Sequence, residues 1–335
     1  MDEKLQLLCD RLVSDKKALK KKMHGEMDSN ATSTMSAFLY AGAGKDLDID
    51  RYVECKKILK KNVNIFSEFR GIAFTLVVTK MALSDNPTEY LEGAMTVYKK
   101  LRERHKLTAS ANMVMASLTL YEYGGVERAD ENIDKLEELY KKLQKDHPLL
   151  VCDEDRGFLA MIVASGANID KVIEEITACF EAGKKIYVFK NAVHSMAQVL
   201  SLNSMDTEKK VEKVKELIKG FKAARKPISK EYGLGAVGAL TLLNMPTDEI
   251  VAKVSEVDDY LKHQKGFKWF SVDTKIRRLY AQLLVMMAYL PEDSSMMTSM
   301  ISSTIAMVIL EEIIMLIIIA STDAAVRSAT SSSSN

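Results

Sequence analysis

Hydrophobic positions along this chain fall into two kinds of segment that alternate. One kind is apolar around most of its circumference, as in Ala109 to Tyr123 with Met113, Val114, Met115, Leu118, Leu120 and Tyr121. A helix covered by neighbours on several sides has that pattern. The other kind is amphipathic. From Val126 to Leu143, the residues Ile133, Leu136, Tyr140 and Leu143 step by three, four and three, which puts Glu137, Glu138, Lys141 and Lys142 on the water side. Gly124-Gly125 separates the two segments. One such pair cannot bury its own apolar face, so the pattern predicts copies stacked side by side.

The pairing recurs. Turn signals at Gly44, Asp85, Gly124, Gly166, Ser204, Met245 and Pro291 are spaced, by subtraction, by 41, 39, 42, 38, 41 and 46 residues, within the range of two-helix repeats. Outer stripes reappear in Leu91, Ala94, Tyr98, Leu101, in Ile169, Val172, Ile173, Ile176, Phe180, in Val211, Val214, Leu217, Ile218, Phe221, and in Ile250, Val254, Val257, Leu261. Inner helices are predicted over Ile72 to Leu83, Phe158 to Ala164, Ala192 to Leu202, Leu234 to Leu243 and Leu279 to Tyr289. Asp85-Asn86-Pro87-Thr88-Glu89 and Met245-Pro246-Thr247-Asp248-Glu249 supply caps and first-turn acids where outer helices should begin. The expected fold is all-α: an α-solenoid of TPR- or HEAT-like two-helix repeats, period about 41 residues, with a hydrophobic C-terminal helix. The expected division is a capping helix over 1–29, a repeat domain over 30–293, an apolar helix over 294–320 and a disordered Ser/Ala tail over 321–335.

Composition changes this picture little. At 335 residues the chain exceeds the size of one compact core, and no linker interrupts it before the tail; a solenoid lengthens its core with each repeat. With 47 basic and 46 acidic side chains the net charge is +1, so no global field draws it to nucleic acid, and none is expected as a partner. Lys16, Lys17, Lys20, Lys21 and Lys22 close a leading helix striped by Leu5, Leu8, Leu12, Leu19 and Met23, and read as a solvated end that suits the helix dipole. Cysteines 9, 55, 152 and 179 lack a Cys-x-x-Cys spacing and read as reduced, mostly buried thiols. Met1-Asp2-Glu3-Lys4 lacks the order of a secretory signal, so a cytoplasmic location is expected, with peripheral membrane contact as the alternative.

Motif matches dissolve on inspection. In Ala41-Gly42-Ala43-Gly44-Lys45-Asp46-Leu47-Asp48-Ile49-Asp50 the glycines are too close for a phosphate loop and Asp46 follows the lysine. A calcium loop from Asp46 would meet Arg51 and Lys57 where glycine and glutamate belong. Gly233-Leu234-Gly235-Ala236-Val237-Gly238 matches the dinucleotide fingerprint, but no strand delivers it; its small residues suit a close helix approach. The histidines, 24, 105, 147, 194 and 263, assemble neither a catalytic triad nor a metal pair. No cofactor, metal or catalytic residue is expected.

Ten positions before each turn the repeats align Thr75, Val114, Arg156, His194, Gly235 and Ala281. Arg156 and His194 therefore belong on neighbouring inner helices, about 8 to 10 Å apart. With Asp155, Tyr232 and Arg277 they form a candidate edge for an acidic peptide or a small anion. The competing reading makes these acids helix caps and His194 a hydrogen-bonded interior residue. Trp269, in Gly266-Phe267-Lys268-Trp269-Phe270, is an interaction anchor where exposed, and filling a gap between layers is the favoured reading. Glu311 and Glu312 split an apolar run from Met296 to Ala320. Holding both in a bilayer would cost about 2.5 kcal/mol or more each. The run is expected to lie in the solenoid's groove, to pair with a second copy, or to touch lipid, in that order.

Phe69-Arg70-Gly71, Leu83-Ser84-Asp85-Asn86-Pro87, His147-Pro148-Leu149-Leu150 leading to Phe158-Leu159-Ala160, Val199-Leu200-Ser201-Leu202-Asn203, Gly266-Phe267-Lys268-Trp269 and the tail Ser331-Ser332-Ser333-Ser334-Asn335 resemble a family of Gram-positive bacterial proteins, the domain of unknown function numbered 4003. The resemblance implies a bacterial cytoplasmic setting and transfers no catalytic residue. The expected function is a non-enzymatic scaffold for protein–protein interaction. The alternatives are a small-anion binder or enzyme at the Arg156/His194 edge, and a peripheral membrane protein using the C-terminal helix.

Overall fold

The computed structural model describes residues 1–23, 29–104, 110–146, 148, 151, 155–202, 205–229, 233–269 and 271–290. The predicted helix over 294–320, the tail, Tyr232, Glu311 and Glu312 lie outside them. The described residues form fourteen α-helices, one 3-10 turn over Glu68–Arg70 and no strand. Odd-numbered helices are the amphipathic ones: α1 (Glu3–Lys22), α3 (Ile49–Asn62), α5 (Pro87–Arg104), α7 (Ala129–Asp146), α9 (Ile169–Gly183), α11 (Thr207–Ala223) and α13 (Thr247–His263). Even-numbered helices are buried over most of their length: α2 (Ser29–Gly42), α4 (Phe74–Leu83), α6 (Ala111–Gly124), α8 (Arg156–Ala164), α10 (Lys190–Leu200), α12 (Leu234–Leu240) and α14 (Thr274–Tyr289).

Local chemistry sets the boundaries. Side chains of Asp2, Asp48 and Asn168 accept from the backbone N–H of Leu5, Arg51 and Lys171, capping α1, α3 and α9. Gly44, Gly125 and Gly166 take left-handed φ values of 64°, 61° and 67° where inner helices turn into outer ones, a conformation that strains other residues. Glycine-rich 233–238 opens α12 rather than a nucleotide site: a Cβ on Gly238 would stand 3.5 Å from Met196 of α10.

Each outer helix packs on the inner helix that follows it, and neighbouring hairpins touch in chain order: α2 on α4, α6 on α8, α10 on α12, α9 on α11, α11 on α13. α5 and α7 run parallel but staggered, since Lys100 and Arg104 at the end of α5 meet Asp130 and Asp134 at the start of α7, both 30 residues on. Curvature, which the sequence leaves open, brings the two ends together. α1 packs on α14, Lys253 of α13 lies 2.9 Å from Asp2, Asn30 donates to the Ser271 carbonyl at 2.9 Å, and the Phe38 and Tyr280 rings are 5.6 Å apart. The hairpins thus form a closed row. One lysine of the expected solvated run belongs to that closure. Lys16 is 2 % exposed; its Nζ donates to Thr34 Oγ1 at 2.7 Å and to the Gly266 carbonyl at 2.9 Å, and lies 3.9 Å above the Phe267 ring. Lys17, Lys20, Lys21 and Lys22 are exposed as expected.

The row has two rims of opposite charge. First turns of the outer helices carry Glu3, Asp50, Glu89, Asp130 and Glu131, Asp170, Glu208, and Asp248 and Glu249. Last turns carry Lys20 to Lys22, Lys60 and Lys61, Arg102 and Arg104, Lys145, Lys222, and Lys262 with His263. Each choice complements the helix dipole. Because the outer helices share a direction, the choices bias the rim where inner helices turn into outer ones toward acid and the opposite rim toward base, although the stagger of neighbouring helices pairs Arg104 with Asp130 at 3.6 Å and Lys142 with Asp170 at 2.8 Å. No described helix is long and apolar enough to cross a membrane.

Candidate functional site

Arg156, His194 and Asp155 come together, and the fold uses them internally. Arg156, the first residue of α8, is 2 % exposed; its Nη1 donates to Glu137 Oε1 at 2.7 Å, and the guanidinium lies 4.0 Å above the Tyr140 ring. Glu137 was expected on the water side, but pairing with Arg156 leaves its side chain 15 % exposed. His194 of α10 places Nδ1 3.7 Å from Asp155 Oδ1, and Gln198 donates to the same oxygen at 2.7 Å. Arg277 belongs to a separate hairpin. Its Nε donates to Asp258 Oδ1 at 2.7 Å, and Lys226 reaches Asp258 Oδ2 at 2.7 Å. Burial pushes the Asp258 pKa up, but the hydrogen bonds from Arg277 and Lys226 outweigh it and hold the carboxyl below its ordinary value. Arg156 with Glu137 and Arg277 with Asp258 are each 19 residues apart. They are one device used twice, an inner-helix arginine neutralised by the preceding outer helix. An added anion would compete with a buried carboxylate for either guanidinium.

Trp269 corrects its favoured reading. The indole is 79 % exposed, while Phe267, two residues earlier, is buried and fills the gap, edge-on to Tyr280 with centroids 6.2 Å apart. Cys9, Cys55 and Cys179 are free and buried; burial pushes their thiols up to about 12, 11 and 12, so they stay protonated and unreactive. Among the described residues no cluster of three or more His, Cys, Asp or Glu is placed to hold a metal.

The concavity that the sequence does not reveal is a cleft of about 880 Å³ on the acidic rim, between the second and third hairpins. Tyr90 and Tyr121 form its aromatic wall, edge to face with centroids 5.4 Å apart. Tyr121 lies so close to α5 that a Cβ on Gly93 would stand 2.1 Å from its ring. Glu122 ties the wall together: it accepts from Tyr90 Oη at 2.6 Å and from Lys80 Nζ at 2.9 Å. Burial, then the charge of Glu122, push the Tyr90 pKa well above its ordinary value, so the hydroxyl stays a donor. Asp85, Glu89, Glu92 and Glu127 line the mouth and are exposed. Aromatic faces beside carboxylates suit an ammonium or guanidinium group. In the sequence Asp85 and Glu89 read only as capping and first-turn residues, because the cleft exists between hairpins and not within either.

No curated protein and no solved structure matches the chain. A family model does, over residues 17–315, from the second half of α1 through every later described helix; the chain belongs to the family described as Protein of unknown function (DUF4003).

Proposed function

We propose that the protein is a non-enzymatic helical-repeat scaffold that binds a protein partner, and that the acidic cleft receives a basic stretch of that partner. Contacts between sequence-adjacent hairpins support reading the chain as two-helix units repeating about every 41 residues. The observation that carries the binding reading is the cleft itself: a tyrosine wall, a mouth of carboxylates, and one wall lysine, Lys80, already committed to Glu122. A lysine or arginine entering it gains aromatic contact and several acceptors together. The Arg156/His194 edge is the weaker candidate, since its arginine already faces Glu137.

Fluorescence anisotropy with a labelled arginine-rich decapeptide, against a glutamine-substituted control of equal length, tests the reading. Exposed carboxylates can be removed without loss of packing, so E89Q/E92Q/E127Q keeps the fold and weakens the arginine peptide about tenfold, equivalent to about 1.4 kcal/mol. Gly93→Ala, which pushes Tyr121 into the cleft, weakens it as well. Equal binding of both peptides, or indifference to the triple substitution, removes the cleft from the account.

A further inference from the structure

Among the described residues the outer-to-inner connections expose more apolar surface than the opposite rim, where Tyr123 and Met205 are 38 % and 36 % exposed. Most outer-to-inner connections are long, and among the described residues three of them lift large apolar side chains into water: Phe66 (92 % exposed) beside Ile65 after α3, Val188 (90 %) with Phe189 after α9, and Trp269 (79 %) after α13. These connections belong to the second, fifth and seventh hairpins of a closed row of seven, so they are spread around the rim rather than gathered on one flank. Lysines flank every tip. Lys60 and Lys61 precede Phe66, Lys185 and Lys190 bracket Val188 and Phe189, and Lys268 adjoins Trp269, all exposed. The acids beside the tips are engaged or partly covered: Glu181 is taken by Lys184, Glu68 is half-buried, and Asp273 caps α14 through the Lys275 N–H.

We propose that this rim docks on an anionic lipid bilayer, its three apolar tips entering the headgroup region while the lysines meet lipid charge. A bilayer is the occupant that fits because it is flat, wide and negative. The three tips all belong to outer-to-inner connections, which a plane can meet together; each carries a large apolar side chain, and each is flanked by the charge that anionic headgroups attract. A groove or peptide partner would call for tips gathered on one side. The inference stands apart from the cleft, which opens on the opposite rim.

Trp269 is the only tryptophan, so the full-length protein reports its own docking. Vesicles of phosphatidylcholine with 30 % phosphatidylglycerol are expected to shift its emission to the blue and to float the protein, and brominated lipid to quench it. Phosphatidylcholine alone gives neither effect, and 0.5 M salt reverses the binding. Replacing the tips together, F66S/V188S/F189S/W269S, lowers partitioning at least tenfold, with the melting temperature unchanged because the side chains are exposed; K60E/K61E/K185E/K268E does the same while keeping the indole reporter. The last described residues lie at the other rim, where Tyr289 meets Asp2, and the apolar run after residue 290 is the competing lipid contact. Flotation of wild type and tip variant alike, with Trp269 emission unmoved, would assign lipid contact to that run and overturn the proposal. A blue shift produced by an oligonucleotide or by heparin but not by vesicles overturns it too.

Discussion

Asp258 is the residue on which the interior of the last hairpin turns. It is 1 % exposed and holds Arg277 and Lys226, with Arg278 3.7 Å away. Asp258→Asn leaves the buried Arg277 without its counter-charge, while Lys226 keeps Asp259, and is expected to cost about 3 kcal/mol or more in urea unfolding at pH 7. The carboxyl has its pKa lowered in the native state, so the unfolded chain binds the proton more readily. That contribution is complete above the unfolded value of about 4 and is lost as pH falls through the lower native value. The stability gap between wild type and D258N therefore narrows on acidification; a gap that is constant from pH 7 to pH 3 would contradict the assignment. The D258L/R277M double change should recover most of the loss, since an apolar pair needs no counter-charge. Sequence pattern finds Arg156, His194 and Arg277 because polar residues in apolar segments stand out. It misses Glu137 and Asp258, because an acid on an amphipathic helix looks solvent-facing until a neighbour's arginine is placed beside it.

Among the elements, the long periodic helices are the legible ones: α5, α7, α9, α11 and α13 carry the three-four stripe that tertiary packing then uses. α2 is the opposite case. Its Ser33, Thr34 and Ser36 are fully buried, a composition that does not read as core. The helix conceals these hydroxyls, with Ser33 and Thr34 donating to the Asn30 carbonyl at 3.1 and 2.7 Å and Ser36 bonding Thr79 of α4 at 2.8 Å. The sequence pattern makes α1 a cap with its lysines in water; Lys16 instead ties it to α2 and to the Gly266 carbonyl. Lys16→Met keeps the stem and loses both hydrogen bonds, leaving the Gly266 carbonyl and Thr34 hydroxyl without that donor. The expected cost is about 2 kcal/mol, with faster amide exchange in α1 and at the start of α14. Lys17→Met, one position along and exposed, is expected to change stability by less than about 0.5 kcal/mol. Matching losses for the two variants would show that Lys16 is not a tie between the ends of the row.

At the scale of the whole molecule, neither closure nor polarity is visible in composition. Curvature depends on a small rotation at each hairpin, which one-dimensional periodicity does not encode, and 47 bases against 46 acids average to a net charge of +1. Yet placing acids at the starts and bases at the ends of outer helices biases each rim toward one sign, apart from the pairs, such as Arg104 with Asp130, that form where staggered neighbours meet. α5, at 18 residues, spans roughly 27 Å at 1.5 Å per residue, well beyond the screening length of about 8 Å at physiological salt. Charged surfaces therefore meet one rim at a time. A protein of this net charge with mixed signs passes through ion exchangers near pH 7. The two-rimmed molecule is expected to be retained at about 10 mM salt, where screening reaches roughly 30 Å, on both a sulfonate and a quaternary-amine matrix, and released from each by moderate salt. Reversing lysines on the basic rim, K60E/K61E/K185E/K268E, should abolish retention on the sulfonate matrix and strengthen it on the amine. Passage of the wild type through both, or loss of retention on both in the variant, would mean that the signs are mixed over the surface. The same separation gives the two proposals a common geometry: with the basic rim on lipid, the tyrosine-walled cleft faces away from it.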